Sequence, residues 1–248
     1  MASIAPGMMP RFFRDAVSMP TRCALLLLSF CLALPALATP PRTFSEAKKI
    51  AWRLYAQQPV EFYCGCRYSG KQVDLKSCGY QPRKNPRRAA RIEWEHLAPA
   101  GVIGHQRRCW QQGGRRECAR HDETFRRAEA DLFNLVPAIG EINGDRSNYP
   151  FAWLPQVPHQ YGACPMVVDF KARKAMPRAR VRGMIARTYF YMSERYRLRL
   201  SQQQRRLFEA WDRAYPPEEW ERRRNQRIAC VMGWGNAFVG KVDLRQCR

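Results

Sequence analysis

Apolar positions along the chain follow two periods, and their alternation outlines the elements. Ala47, Ile50, Ala51, Leu54 and Tyr55 recur at helical spacing behind the capping-box form Thr43-Phe44-Ser45-Glu46 and stop at Pro59, which predicts an amphipathic first helix. Shorter runs at 62–68 and 73–75 read as strands joined by a turn at Ser69-Gly70. A basic, proline-broken stretch over 83–91 leads into the extended run Arg91-Ile92-Glu93-Trp94-Glu95-His96-Leu97, which Pro99 ends. The segment between Cys109 and Cys118 is polar and contains Gly113-Gly114, so it reads as a loop. Phe125, Ala128 and Leu132 predict a helix over 124–134, interrupted at Val136-Pro137.

Further on, Ile139, Ile142 and Arg146 would share one face of a helix that also presents Asn143. The aromatic, proline-rich stretch 149–162 reads as an irregular ordered loop, and 166–170 as a strand. The strongest helix lies within 177–199, with Val181, Ile185, Tyr189, Met192 and Tyr196 as its apolar stripe. Ser201 opens another, ended by Pro216-Pro217, and 218–231 reads as a last basic helix.

Composition changes this picture in three ways. Residues 1–38 have the form of an export signal: Arg11, Arg14 and Arg22 precede an apolar run from Cys23 to Leu34, and Ala36-Leu37-Ala38 resembles a peptidase site. That run is short for a membrane span, and nothing downstream is longer, so 39–248 reads as one domain with no stable membrane insertion. The net charge of +22 becomes +20 without the leader's three Arg and one Asp, an excess suited to a polyanionic partner: nucleic acid, anionic lipid or lipopolysaccharide. Eight cysteines remain in an exported chain, namely Cys64, Cys66, Cys78, Cys109, Cys118, Cys164, Cys230 and Cys247, which favours disulfides over zinc. Cys109 with Cys118 is the local pairing expected, whereas Cys64 and Cys66 are unsuited to each other, because side chains two apart on a strand run parallel.

The candidate chemistry centres on Glu95-His96. Glu95 offers oxygen to a hard cation, and neutral His96 can take a proton from water, as metal-assisted phosphodiester hydrolysis requires. Asn143 offers a second oxygen ligand. Arg115, on the tethered segment, would present a guanidinium fork to a phosphate. Arg83, Lys84, Arg87, Arg88 and Arg146 are the expected contacts to a nucleic-acid backbone. All-oxygen ligation points to Mg²⁺, with Mn²⁺ or Ca²⁺ able to use the same site. One geometric condition follows: neighbouring strand residues face opposite ways, so Glu95 and His96 can serve one phosphate only if the strand ends or twists at that pair. A straight strand fully paired through Leu97 would defeat the assignment.

The stretches Phe62-Tyr63-Cys64-Gly65-Cys66, Glu93-Trp94-Glu95-His96, Asn134-Leu135-Val136-Pro137-Ala138-Ile139-Gly140-Glu141, Asn143-Gly144-Asp145-Arg146-Ser147-Asn148 and Arg182-Gly183-Met184-Ile185-Ala186-Arg187-Thr188-Tyr189 together resemble bacterial endonuclease I. The resemblance covers nearly all of the chain after the leader. It implies a mixed α+β domain with a ββα-metal (His-Me finger) core, surrounding helices and several disulfides. Carried over by motif, Glu95 and Asn143 would hold the metal, His96 would be the general base, and Arg115 would stabilise the phosphate. It further implies a monomeric, periplasmic or secreted nonspecific nuclease acting on double- and single-stranded DNA and on RNA, leaving 5′-phosphate ends.

Two departures stand out. Phe133 stands where the resemblance implies a histidine in Asp131-Leu132-Phe133-Asn134-Leu135, removing a polar group near the site, and Arg222 stands where a cysteine is expected after Trp220-Glu221, so that Cys230 would take over pairing with Cys247. A different class of function, a catalytically impaired cationic nucleic-acid-binding envelope protein, would have Phe133 as its sign. Retention of Glu95, His96, Arg115 and Asn143 together favours the enzyme. An HNH-type restriction or homing enzyme shares the His and Asn chemistry but not the export signal or the cysteines.

Overall fold

The computed structural model describes residues 38–156 and 159–247, all within the contact unit 35–248. Apart from Ala38, the export-signal reading lies outside the described residues. In chain order the elements are α1 (Phe44–Tyr55), β1 (Arg67–Ser69), β2 (Gln72–Asp74), α2 (Pro86–Ala89), β3 (Ile92–His96), α3 (Ala100–His105), α4 (Arg108–His121) and α5 (Glu123–Glu129). They continue as β4 (Leu135–Ile139), α6 (Gly140–Arg146), β5 (Val167–Asp169), β6 (Lys174–Met176), α7 (Ala179–Tyr196), α8 (Gln202–Ala214) and α9 (Glu219–Met232). The strands form three antiparallel pairs, β1 with β2, β3 with β4 and β5 with β6, so the fold is mixed α+β. No helix among the described residues is long and apolar enough to cross a membrane.

Helices α1 and α8 start where the sequence says they should. Thr43 caps α1 by accepting the Glu46 N–H, while Glu46 reaches back to the Arg42 N–H. Ser201 and Gln204 complete a reciprocal capping box on α8. Helix α7 is buried on all sides from Val181 to Met192, more than a single stripe would require. Its Arg187, only 1% exposed, forms a two-pronged bond to Glu221 of α9 and a further bond to Asp212 of α8. One buried cation thereby joins three helices.

Several expectations are corrected by tertiary contacts. The strand expected over 62–68 forms only from Arg67 onward, because the buried Glu61 carboxylate collects the N–H groups of Tyr63, Cys64 and Cys66 and curls the chain. Gly65 sits in that curl at φ +85°, a conformation that favours glycine. Cys64 and Cys66 diverge to Cys164 and Cys78, and the other bridges are Cys109–Cys118 and Cys230–Cys247, as expected. The segment between Cys109 and Cys118 is helical, not a loop: the Gly113-Gly114 pair kinks α4, with Gly114 at φ +65°, and the disulfide ties its two halves.

The helix expected over 124–134 is shorter, and Val136-Pro137 lies in the middle of β4. Pro137 is tolerated there because of register. Bonds from Gly140 N–H to the Arg91 carbonyl and from Leu97 N–H to the Asn134 carbonyl mark the hydrogen-bonded positions. Alternation then makes Trp94–Pro137 a non-bonded pair, where a missing N–H costs the ladder nothing. The outward-facing Pro137 carbonyl accepts from the Phe62 N–H.

Candidate active site

Glu95 and His96 end β3, paired with Val136 and Leu135 of β4. The break expected at that pair comes at its far side: Ile92–His96 is fully paired and the Leu97 N–H still reaches the Asn134 carbonyl, but the strand itself ends at His96. The straightness ends one residue later. Leu97 and Ala98 form a bend, and the Asn134 side chain holds it by accepting from the Ala98 N–H and donating to the Ala98 carbonyl. The strand therefore stops beside an opening that residues from both of its faces can border. Glu95, His96, Arg115 and Asn143, drawn from separate stretches of the chain, all line one cavity of about 280 Å³, together with Phe44 and Trp110.

Each of the four is held by neighbours. Glu95 is 4% exposed, and its Oε1 accepts from the Tyr63 hydroxyl at 2.8 Å and from Arg146 Nη1 at 2.9 Å. Both side-chain bonds fall on one oxygen, which leaves Oε2 to serve another partner. Burial raises the Glu95 pKa, and the Arg146 charge opposes that shift. Asn143, on α6 as expected, donates from Nδ2 to Glu93 Oε2 at 3.1 Å, which turns its Oδ1 away from that carboxylate. Burial works against ionisation of Glu93, but the guanidinium groups of Arg88 and Arg91 outweigh it and hold its carboxyl below the ordinary range.

His96 packs its ring on Phe44 with centroids 4.7 Å apart, and its Nε2 lies 2.8 Å from the Glu129 carbonyl. A carbonyl only accepts, so Nε2 carries the hydrogen and Nδ1 keeps a lone pair. Burial lowers the His96 pKa to about 4, helped by the charges of Arg115, Arg146 and Lys48 and opposed by the bond to Glu129. The imidazole is therefore neutral near pH 7. Arg115, directly after the α4 kink, bonds through Nε to Glu129 Oε1 and lies over the Phe44 ring. That bond does not use its Nη1 and Nη2 fork. Glu129 thus orients the His96 imidazole with its backbone and Arg115 with its side chain.

The expected nucleic-acid contacts divide. Arg146 is corrected: it is fully buried, and its guanidinium bonds Glu95 and the carbonyls of His96 and Leu97 while lying over Phe151. It supports the site from inside and does not face a substrate. Arg83 is engaged in a two-pronged pair with Asp145, and Arg88 in one with Glu93. Lys84 and Arg87 are exposed. The backbone here is pinned by Glu141 of α6, which accepts the N–H groups of Arg83, Lys84 and Asn85. Phe133 is buried against Tyr191 and does not line the cavity, so the departure from histidine alters the core and not the cavity wall.

Sequence reasoning missed Tyr63, Glu129 and Glu141. Each acts through a backbone carbonyl or a partner distant in sequence, and no local pattern marks such a role.

A disulfide-bonded α+β frame that brings a carboxylate, a neutral imidazole, an amide and a guanidinium to one small polar cavity belongs to the class of hydrolytic enzymes. Residues 36–242 match the family model described as Endonuclease I, and the chain belongs to that family. It is 53% identical over 224 residues to an extracellular deoxyribonuclease of Aeromonas hydrophila, covering 87% of this chain and 97% of the relative. A periplasmic deoxyribonuclease of the same species is 51% identical over 235 residues, covering 91% and 99%. Endonuclease-1 of Buchnera aphidicola subsp. Acyrthosiphon pisum (strain APS) is 46% identical over 202 residues, 80% of each chain. The chain is accordingly an endonuclease, with periplasmic and extracellular relatives.

Proposed function

We propose that this protein is a periplasmic or secreted, Mg²⁺-dependent nonspecific endonuclease, monomeric, that hydrolyses double- and single-stranded DNA, accepts RNA as a second substrate and leaves 5′-phosphate ends. The observation that carries the reading is the convergence of Glu95, His96, Arg115 and Asn143 on one cavity. The names of the relatives add deoxyribonuclease activity to it.

The donor set fits a hard divalent cation. Glu95 Oε2 and Asn143 Oδ1 are the oxygens not used by the side-chain bonds to Tyr63, Arg146 and Glu93. No group of three or more His, Cys, Asp or Glu able to hold a metal occurs among the described residues, so water would fill most of the coordination sphere, as suits Mg²⁺. When bound, the ion supplies charge neutralisation on the phosphate and the departing oxygen. His96 Nδ1 takes the proton of the attacking water. Its low basicity in the free protein rises once a phosphate anion enters beside it, since a negative charge favours imidazolium. The Arg115 fork binds the phosphate as negative charge builds on it. Phe44 shields one face of the imidazole from water and limits its rotation.

Plasmid nicking with and without EDTA is the test. Nicking that EDTA abolishes and Mg²⁺ restores is the expected result. Tight DNA binding without nicking, at any divalent cation supplied, would replace this reading with that of a cationic binding protein.

A further inference from the structure

Trp153 is 54% exposed, the most exposed large hydrophobic side chain among the described residues, yet it is firmly seated. The guanidinium carbon of Arg182 lies 4.5 Å from its ring centre, and Trp211 meets it edge-on at 5.8 Å and 90°. Arg182 is itself buried and fixed by bonds to the Pro177 carbonyl and the Tyr215 hydroxyl. One side of the indole is thus backed by a cation. Trp153 also borders a groove of about 650 Å³ whose other walls include Phe151, Gln203, Lys174 and Arg206.

Two chain segments connect this groove with the active-site cavity. Asn148 lines the cavity and Pro150 the groove, two residues later. Gly101 of α3 lines the cavity, and Gln106, just past that helix, bonds in both directions with the Arg199 backbone, close to Ser201 in the groove wall. From Asn148 to Trp153 an extended chain spans at most about 18 Å. At 3.4 Å per step along a strand, that distance is about five nucleotides.

We propose that the groove is a nucleobase subsite of the same enzyme, in which an unpaired base of the bound strand, within about five nucleotides of the scissile phosphate, stacks on Trp153. Lys174 and Arg206 neutralise the flanking phosphates. Stacking on an aromatic face tolerates any base, which suits a nuclease without sequence preference. The duplex, whose bases are already stacked, gains nothing from Trp153. The inference rests on the nuclease reading above.

The test measures binding of a labelled short oligothymidylate and of a blunt duplex by fluorescence anisotropy, with His96→Ala as the parent so that neither is cut. Trp153→Ala should weaken single-strand binding about tenfold and leave duplex binding unchanged. Trp153→Phe, which keeps an aromatic face, should recover most of the loss. Lys174→Ala with Arg206→Ala should lower the salt dependence of single-strand binding by about 1.4 in logarithmic slope. Unchanged single-strand affinity in Trp153→Ala, or equal losses on both oligonucleotides, overturns the subsite. A parent that binds neither oligonucleotide overturns the nuclease reading itself, and thermal melts of each variant separate either outcome from misfolding.

Discussion

Replacing Arg146 with methionine tests how the site is supported from within. The side chain is completely buried, and its guanidinium meets Glu95 at 2.9 Å and the carbonyls of His96 and Leu97 at 2.9 and 2.7 Å. Methionine keeps most of the packing against Phe151 and removes the charge and every donor. Glu95 would remain buried with Tyr63 as its side-chain donor. Breaking a buried ion pair by deleting one partner costs about 3–5 kcal/mol, and the surviving Tyr63 bond argues for the lower end. For a domain of this size, about 3 kcal/mol corresponds to a fall in Tm of about 6–12 °C. The His96 carbonyl at the end of β3 loses its Arg146 donor and the Leu97 carbonyl keeps only the Tyr189 hydroxyl, so the bend that opens the cavity loosens.

Calorimetric titration with Mn²⁺ or Ca²⁺ should accordingly show cation affinity reduced roughly 10- to 100-fold, the usual effect of removing a partner that orients a ligand. Arg146→Lys, which keeps the charge but cannot reach three acceptors with one planar fork, should fall between the two. An Arg146→Met protein with unaltered Tm and unaltered cation affinity would refute the idea that this buried pair organises the site.

Other expectations follow from the same contacts. His96→Ala should keep its fold and its affinity for DNA while losing plasmid nicking; retained nicking would remove His96 from the base role. Glu221→Gln leaves Arg187 buried with only part of its counter-charge, and should lower stability by about 3 kcal/mol in thermal melts while the folded fraction nicks DNA at the wild-type rate. Lys84→Ala and Arg87→Ala should each weaken DNA binding uniformly across sequences and lower the salt slope by about 1. Arg83→Ala should instead act by releasing Asp145, with the damage visible in the melting curve and not in the salt slope.

The division between what was legible in the chain and what was not follows the range of the interactions. Asn143 was legible on its helix because Ile139, Ile142 and Arg146 repeat at helical spacing, and Cys109 with Cys118 because they stand only 9 positions apart in the chain. Arg146 was misread as a surface contact. Nothing local distinguishes an arginine that meets phosphate from one that meets a glutamate 51 residues away in sequence. Pro137 was read as an interruption because its place in the ladder depends on the register of β3, which lies far upstream.

By itself the amino-acid sequence determined the amphipathic helices α1, α7 and α8, the cysteine chemistry, the cationic charge and the types of group in the site, since periodicity, composition and side-chain chemistry are local properties. Only the tertiary structure decided which oxygen of Glu95 is engaged, which nitrogen of His96 carries its hydrogen, and which arginines remain at the surface. Those outcomes depend on burial and on partners such as Tyr63, Glu129 and Glu141. The Tyr63 hydroxyl, the Glu129 carbonyl and the two carboxylates gain these roles only when the folded chain carries them out of water and against a distant partner.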